Sequence, residues 1–208
     1  MENLFNPNGI VFMLIVLIVS VIAHEISHGY MAEALGDPTA RYAGRLTLNP
    51  LKHIDPIGSI IVPIISSLGG FVFGWAKPVP YNPYNLKGGK WGPALVAIAG
   101  PAMNIFIALF FGFILRSGLF DQFLNQLSTT LIVQIILVNT ILAFFNLIPV
   151  VPFDGSKILF SMLPYKYKYV EDFLTQNQFL ILFIFIFFIW ESIAIPILQF
   201  ILRFITSA

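Results

Sequence analysis

Two histidines and one glutamate form an HEISH motif at residues 24–28. Positions i and i+4 of an α-helix share one face about one turn apart, so the imidazoles of His24 and His28 can bind a single metal ion. Glu25 then lies near enough to take a proton from a water bound to that ion. The spacing predicts a catalytic metal site on a helix, with Glu25 as its general base.

The composition places this motif in a membrane protein. Of the 208 residues, 58% are hydrophobic and 10% are charged, whereas about 25% are charged in a soluble domain. A soluble chain this short cannot bury so much apolar surface, and its 22 phenylalanines exclude disorder. The 11 basic residues nearly balance the 10 acidic ones, which gives no reason to expect a nucleic-acid partner. The chain is therefore predicted to be an integral membrane protein in a lipid bilayer.

The apolar runs predict an all-α polytopic membrane protein with about four transmembrane helices and one re-entrant segment. These helices are predicted at residues 9–35, 94–115, 127–148 and 178–205. The run at 57–75 is interrupted by glycines and a proline, which disfavours a straight span.

Shorter features complete the predicted organisation. Short strand-like pieces are expected near residues 42–48 and 71–80. The whole chain, 1–208, is expected to form a single membrane domain. Its catalytic core is predicted at about residues 9–165, followed by the C-terminal transmembrane segment.

The chain offers few candidates for the third protein ligand that a catalytic zinc ion usually requires. It has no cysteine, its only other histidine is His53, and the remaining carboxylates near apolar segments are Asp154 and Glu191. Asp154 belongs to the stretch NLIPVVPFDG at residues 146–155, whose prolines interrupt the preceding helix. Because irregular backbone at membrane depth is tolerated only where it lines a cavity or is buried in protein, Asn146 and Asp154 are candidate site residues.

Three motifs together resemble the site-2 protease family of intramembrane zinc metalloproteases. They are HEISH at residues 24–28, GPAMN at residues 100–104 and NLIPVVPFDG at residues 146–155. Many metalloproteases share the first motif, whereas the three in this order within apolar segments are specific to the family. The resemblance covers most of the chain, in a compact form without a PDZ or CBS domain.

The resemblance implies a role for each polar residue of these motifs. It implies three ligands for one Zn2+ ion: His24, His28 and Asp154. It makes Glu25 the general base, Asn146 a candidate donor to the oxyanion of the tetrahedral intermediate, and Asn104 a second polar group near the site. The implied reaction is hydrolysis of peptide bonds within or near the transmembrane helices of membrane protein substrates, as in regulated intramembrane proteolysis.

The depth of these residues in their helices constrains the topology. The two histidines lie about 10–16 Å before the end of their predicted helix, and Asp154 lies at a similar distance from Leu163. To share one ion, the two segments must run in the same direction, which requires an odd number of crossings between them. Residues 94–115 supply one crossing, so residues 57–75 are predicted to return to the side that they left.

The basic residues agree with this topology and orient it. With a re-entrant segment, nine of the 11 Lys and Arg residues lie on one side, and only Arg116 and Arg203 lie on the other. Cytoplasmic loops carry an excess of basic residues. The N-terminus is therefore predicted outside and the active site toward the cytoplasmic side of a prokaryotic inner membrane.

A membrane metal-ion transporter or metal-sensing protein is the alternative interpretation, in which the same ligands bind an ion in transit. The expected partners of an enzyme are transmembrane protein substrates and the bilayer; the sequence sets no oligomeric state. The chain lacks paired broken helices in two repeated halves, a recurrent feature of transporters. Transport also needs no glutamate between the histidines, so the sequence favours a zinc metalloendopeptidase.

Overall fold

The computed structural model describes residues 7–67, 74–118, 122 and 124–206. Within these ranges the chain forms nine α-helices, joined by short 3₁₀ turns and π-helical stretches. The helices are α1 (Pro7–Ala34), α2 (Thr39–Tyr42), α3 (Val62–Ser67), α4 (Gly92–Arg116), α5 (Gln126–Leu147), α6 (Asp154–Met162), α7 (Lys168–Gln176), α8 (Gln178–Ile184) and α9 (Ile195–Thr206).

Three helices in the described part of the chain are long and apolar enough to cross a membrane. They are α1, α4 (with the turn before it) and α5, and they agree closely with the helices predicted from residues 9, 94 and 127 onward. Large apolar side chains on their outer faces stay exposed, including Ile18, Phe106 and Phe113. Such surfaces are expected where a helix faces lipid tails rather than water.

The C-terminal apolar segment is helical but irregular. A π-helical stretch, Phe185–Ala194, joins α8 to α9, so helical backbone runs from residue 178 to residue 206. The wider turns precede Pro196, which has no N–H to donate to the preceding turn. Trp190 stacks on Phe145 near the end of α5, whereas Ile205 packs beside Ile136 earlier in that helix. The segment therefore runs antiparallel to α5.

Polar contacts fix the relative directions of the three long helices. Two pairs show that α1 and α4 are antiparallel: His28 with Val96, and Ser20 with Asn104. Two further pairs show that α1 and α5 run in the same direction: Gly9 with Gln134, and Ser20 with Asn139. A metal site shared by α1 and the residues that follow α5 requires this arrangement.

The long connection between α1 and α4 begins and ends at the same end of these helices. The N–H of Lys87 donates to the carbonyl oxygen of Leu35 at 2.7 Å. Asp37 is fully buried and accepts hydrogen bonds from the backbone amide of Asn82 and the side chain of Asn85. Burial alone would raise the pKa of Asp37, but its hydrogen bonds hold that pKa below its ordinary value, so the carboxylate stays charged at neutral pH.

Residues 57–75 also leave and return at one place. The N–H of Trp75 donates to the carbonyl oxygen of Gly58 at 3.0 Å, and the hydroxyl of Ser59 donates to the carbonyl oxygen of Trp75 at 2.9 Å. The indole of Trp75 occupies the space that a side chain at position 58 would need. The π-helical turn Ile57–Ile61 therefore lies beside the residue at which the segment ends, while residues 68–73 lie outside the described ranges.

The described residues contain no β-strand, so the strand-like pieces predicted near 42–48 and 71–80 are not confirmed. Residues 42–48 continue from α2 into turns and bends, and residues 74–80 are irregular; residues 71–73 lie outside the described part. Pro78 and Pro80 lack the N–H that a strand ladder needs. The alternating sequence pattern therefore does not correspond to paired strands in the described residues of these two segments.

Candidate metal centre

Three buried side chains from two elements meet at the HEISH motif. His24 and His28 lie on α1, and Asp154 is the first residue of α6. The Nε2 atoms of the two histidines are 3.0 Å apart, and Oδ2 of Asp154 lies 3.1 Å from the first and 3.0 Å from the second. Among the described residues, these three form the group whose ligand atoms are close enough to hold one metal ion.

The interruption after α5 brings Asp154 to this position. Helix α5 ends at Leu147, and α6 begins at Asp154. The non-helical stretch between them contains the prolines that were expected to interrupt the helix. Gly155 packs directly on the end of α5, where a Cβ atom would lie closer than 3.0 Å to the carbonyl oxygens of Leu147 and Ile148. A larger residue there would push Asp154 away from the histidines.

Hydrogen bonds on the far side of each imidazole orient the two histidines. Nδ1 of His28 lies 2.7 Å from the carbonyl oxygen of Val96, which can only accept, so this nitrogen carries the proton. Nδ1 of His24 lies 2.7 Å from Oδ1 of Asn104. In their neutral form both rings therefore carry the proton on Nδ1 and turn an unprotonated Nε2 toward Asp154, as metal-binding histidines do.

The orientation of the Asn104 amide follows from its own partners. Nδ2 of Asn139 donates to the carbonyl oxygen of Ile135 at 2.9 Å, which leaves Oδ1 of Asn139 to accept from Nδ2 of Asn104 at 2.9 Å. Oδ1 of Asn104 must then face His24 as an acceptor. A backbone carbonyl of α5 thus sets the tautomer of a histidine on α1.

With both histidines in that neutral form, the facing groups of this centre require a cation. Two neutral Nε2 atoms and a carboxylate oxygen are all acceptors, and at 3.0–3.1 Å they repel one another unless positive charge lies between them. A proton can bridge one of these contacts but not all three. Zinc binds nitrogen and carboxylate ligands at about 2.0–2.2 Å, which separates neighbouring ligand atoms by about 3.3 Å in a tetrahedron. The set of ligand atoms and its spacing therefore fit a zinc ion.

Helix α4 leaves room for both imidazoles at Gly100. A Cβ atom at this position would lie 2.6 Å from Cε1 of His24 and still closer to Nε2 of His28. The GPAMN motif therefore supplies two things, the space for the rings and the amide of Asn104.

Glu25 is half-buried on the same helix and is held by the loop that precedes α4. Its Oε2 accepts a hydrogen bond from the N–H of Val79 at 2.8 Å. Pro78 and Pro80 flank Val79 and have no N–H, so the amide of Val79 is the one backbone donor that these three residues offer. This contact fixes the carboxylate of Glu25 against the loop before α4.

The structure does not bring every predicted residue into contact with the centre. Asn146 lies near the end of α5, where its Nδ2 donates to the carbonyl oxygen of Leu142, one turn earlier, at 2.9 Å. His53 is buried in the loop after α2 and bonds through Nε2 to the carbonyl oxygen of Thr47. The side chain of Glu191 lies outside the described part of the chain.

Two polar contacts of the centre are absent from the sequence-based prediction. Asn139 supports Asn104, and Nζ of Lys157 lies 3.1 Å from Oδ1 of Asp154. The three-residue spacing of Asp154 and Lys157 is a sequence signal for this contact, because positions three apart share a helix face.

Comparisons with known proteins relate the chain to metalloproteases. The family model described as Peptidase family M50 matches residues 116–189, which include Asp154 and the non-helical stretch before it. The chain is 40% identical over 158 residues to YwhC of Bacillus subtilis, named as a candidate zinc metalloprotease, and the match covers 74% of this chain and 69% of that protein.

Two longer relatives match over a smaller share of their length. The chain is 29% identical over 160 residues to the zinc metalloprotease MJ0392 of Methanocaldococcus jannaschii, with 77% of this chain and 37% of that protein covered. It is 33% identical over 102 residues to Rip2 of Mycolicibacterium smegmatis, another candidate zinc metalloprotease by name, with 48% and 38% covered. No solved structure matches the chain significantly. The similarity to YwhC extends over more than two thirds of both proteins, so this chain belongs to peptidase family M50, the site-2 protease family, and is a membrane metalloprotease, as its three motifs predicted.

Proposed function

We propose that this chain is a zinc endopeptidase that hydrolyses peptide bonds within or near the transmembrane helices of membrane protein substrates. Such cleavage is the chemical step of regulated intramembrane proteolysis. The observation that carries the proposal is the buried triad of His24, His28 and Asp154, whose three ligand atoms converge among helices apolar enough to span a membrane.

Each polar side chain has a part in the proposed reaction. Zinc in such a site polarises a peptide carbonyl and makes water nucleophilic near neutral pH. Glu25, held by the amide of Val79, takes the proton of the attacking water and passes it to the leaving amine. Asn104 holds the proton of neutral His24 on Nδ1, which leaves Nε2 available as a ligand.

Asn146 is proposed to stabilise the oxyanion of the tetrahedral intermediate. Its position just before the non-helical stretch that leads to Asp154 supports this role. Because its amide donates to Leu142 within its own helix, the role requires the side chain to turn toward the centre when substrate binds. Catalytic hydrogen bonds often tighten only in the substrate complex.

The proposed topology has four membrane crossings, formed by α1, α4, α5 and the helical run at 178–206. Residues 57–75 are a re-entrant segment, an interpretation supported by the tied ends of the connection between α1 and α4. The excess of basic residues on that side supports an N-terminus outside and a metal centre toward the cytoplasm of a prokaryotic inner membrane. The catalytic core occupies about residues 9–165 of one membrane domain.

Cysteine labelling tests this topology, because the chain has no cysteine of its own. Single cysteines in place of the exposed Tyr42 and Lys87 should react with a membrane-impermeant maleimide from the same side of oriented vesicles. A cysteine at the exposed Gln126, the first residue of α5, should react from the opposite side. Labelling of positions 42 and 87 from opposite sides would contradict a re-entrant segment at 57–75.

Metal removal tests the enzymatic activity. The purified protein should hold about one zinc ion per chain and cleave members of a panel of single-span membrane proteins. A strong chelator should abolish cleavage, and added zinc should restore it; elemental analysis and gel electrophoresis measure the two quantities. Cleavage that survives complete removal of metal would refute the proposal. Zinc flux into proteoliposomes without any cleavage would favour a transporter.

A further inference from the structure

Lys157 contacts a candidate zinc ligand and has no part in the mechanism above. Its Nζ lies 3.1 Å from Oδ1 of Asp154, three residues earlier on α6. The other carboxylate oxygen, Oδ2, lies 3.1 Å from Nε2 of His24 and 3.0 Å from Nε2 of His28. The two oxygens of one carboxylate therefore face different partners.

The local structure holds this contact in place. The spacing of three residues puts both side chains on one face of α6, and the close approach of Gly155 to the end of α5 fixes that helix. The ammonium group also lies 5.9 Å from the ring centroid of Tyr81, within the range of a cation–π interaction. Lys157 is thus held between the carboxylate of Asp154 and an aromatic ring of the loop before α4.

We propose that Lys157 is a positioning residue for the metal centre: it occupies Oδ1 of Asp154, so that the carboxylate offers zinc Oδ2 alone. The inference rests on the proposed zinc site. A carboxylate can bind a metal ion through one oxygen or through both, and a charge-assisted hydrogen bond to one oxygen removes the second option. A ligand that uses one oxygen leaves more of the ion open to water and substrate.

Lys157 has two opposing physical effects on zinc binding. Its positive charge repels the ion and weakens binding, whereas its hydrogen bond orients the ligand and strengthens binding. The side chain of Lys157 is 41% exposed, so solvent screens its charge, while the contact with Oδ1 is direct. Orientation therefore dominates, and loss of the lysine weakens zinc binding.

Substitutions at this position separate the two effects. Lys157→Met keeps the apolar stem and removes the donor, and its zinc affinity should fall by about 10–100-fold. Lys157→Arg still donates to Oδ1 and should stay close to wild type. Lys52→Met removes a charge at an exposed loop position and serves as the matched control. Competition with a fluorescent zinc chelator in detergent measures all four dissociation constants.

Cobalt substitution gives a readout that a general loss of stability would not produce. The visible absorption of bound Co2+ weakens as its coordination number rises, so Lys157→Met should show weaker bands if Asp154 binds through both oxygens. Zinc binding by Lys157→Met that equals or exceeds wild type, with an unchanged cobalt spectrum, would overturn the proposal.

Folding of each variant is checked by circular dichroism of the metal-free protein. If Lys157→Met does not fold, Lys157→Gln, a shorter neutral donor, is compared with Lys157→Arg. We expect Lys157→Gln to bind zinc more weakly than Lys157→Arg but to retain part of the affinity. Tighter zinc binding by Lys157→Gln than by Lys157→Arg would overturn the proposal. A wild-type protein that binds no zinc would refute the zinc site itself, so the two failures are distinguishable.

Discussion

Glu25→Gln is expected to reduce cleavage of a membrane-spanning substrate by on the order of 10²–10⁴ while the protein keeps its zinc. Glutamine has nearly the same size, and its carbonyl oxygen can still accept the hydrogen bond from the amide of Val79. It cannot take a proton from the attacking water. The three candidate ligands are unchanged, so the variant should fold and bind metal as wild type does.

The measurement compares kcat/KM for one single-span substrate with zinc content in the same preparation. Glu33→Gln is the matched control, because Glu33 lies two turns later on α1 and pairs with Arg41 at the surface. An exposed ion pair contributes little to stability, so this variant should cleave at the wild-type rate. Full activity of Glu25→Gln would exclude Glu25 as the base, and loss of its zinc would show that the residue acts through the metal centre instead.

The parts of the site that the sequence predicts are those encoded locally. The HEISH spacing depends only on the period of a helix, and the break before Asp154 follows from prolines that cannot continue one. The long apolar runs likewise predict α1, α4 and α5, because the bilayer imposes a length on its helices. The structure accordingly brings His24, His28 and Asp154 together, as a shared site requires.

The supporting contacts depend on the register between helices, which the sequence does not encode locally. The carbonyl of Val96 orients His28, but every residue has a carbonyl, so no residue type marks this one. Asn139 resembles any polar residue that joins two membrane helices, and only the packing of α5 on α4 brings it to Asn104. Asn146 is the converse case, since its sequence position predicts a site residue while its amide bonds within its own helix.

Gly100→Ala is expected to weaken zinc binding by on the order of 10² or more. A Cβ atom there would lie 2.6 Å from Cε1 of His24 and closer still to Nε2 of His28, a separation that real side chains essentially never show. Neither ring can retreat freely, because Nδ1 of His28 is held by Val96 and Nδ1 of His24 by Asn104, both on α4 itself. The methyl group must therefore displace the nitrogen atoms that face Asp154.

Gly112→Ala is the matched control on the same helix. A Cβ atom at position 112 would lie 2.5 Å from Cγ2 of Ile205, so it creates a similar overlap with α9, outside the metal centre. Both substitutions overpack α4 and should each cost about 1–3 kcal/mol of stability.

Zinc binding distinguishes the two variants. Gly100→Ala should bind zinc more weakly than wild type by on the order of 10² or more, and as poorly as Asp154→Ala. This loss of affinity exceeds the largest loss expected when only a residue that supports a metal ligand is removed. Gly112→Ala should bind it normally. Added zinc should raise the Tm of wild type and Gly112→Ala in detergent, because a ligand that binds the folded state stabilises it. It should raise the Tm of Gly100→Ala much less. Equal zinc affinity of Gly100→Ala and wild type would contradict the packing of the two imidazoles against α4, on which the proposed metal centre depends.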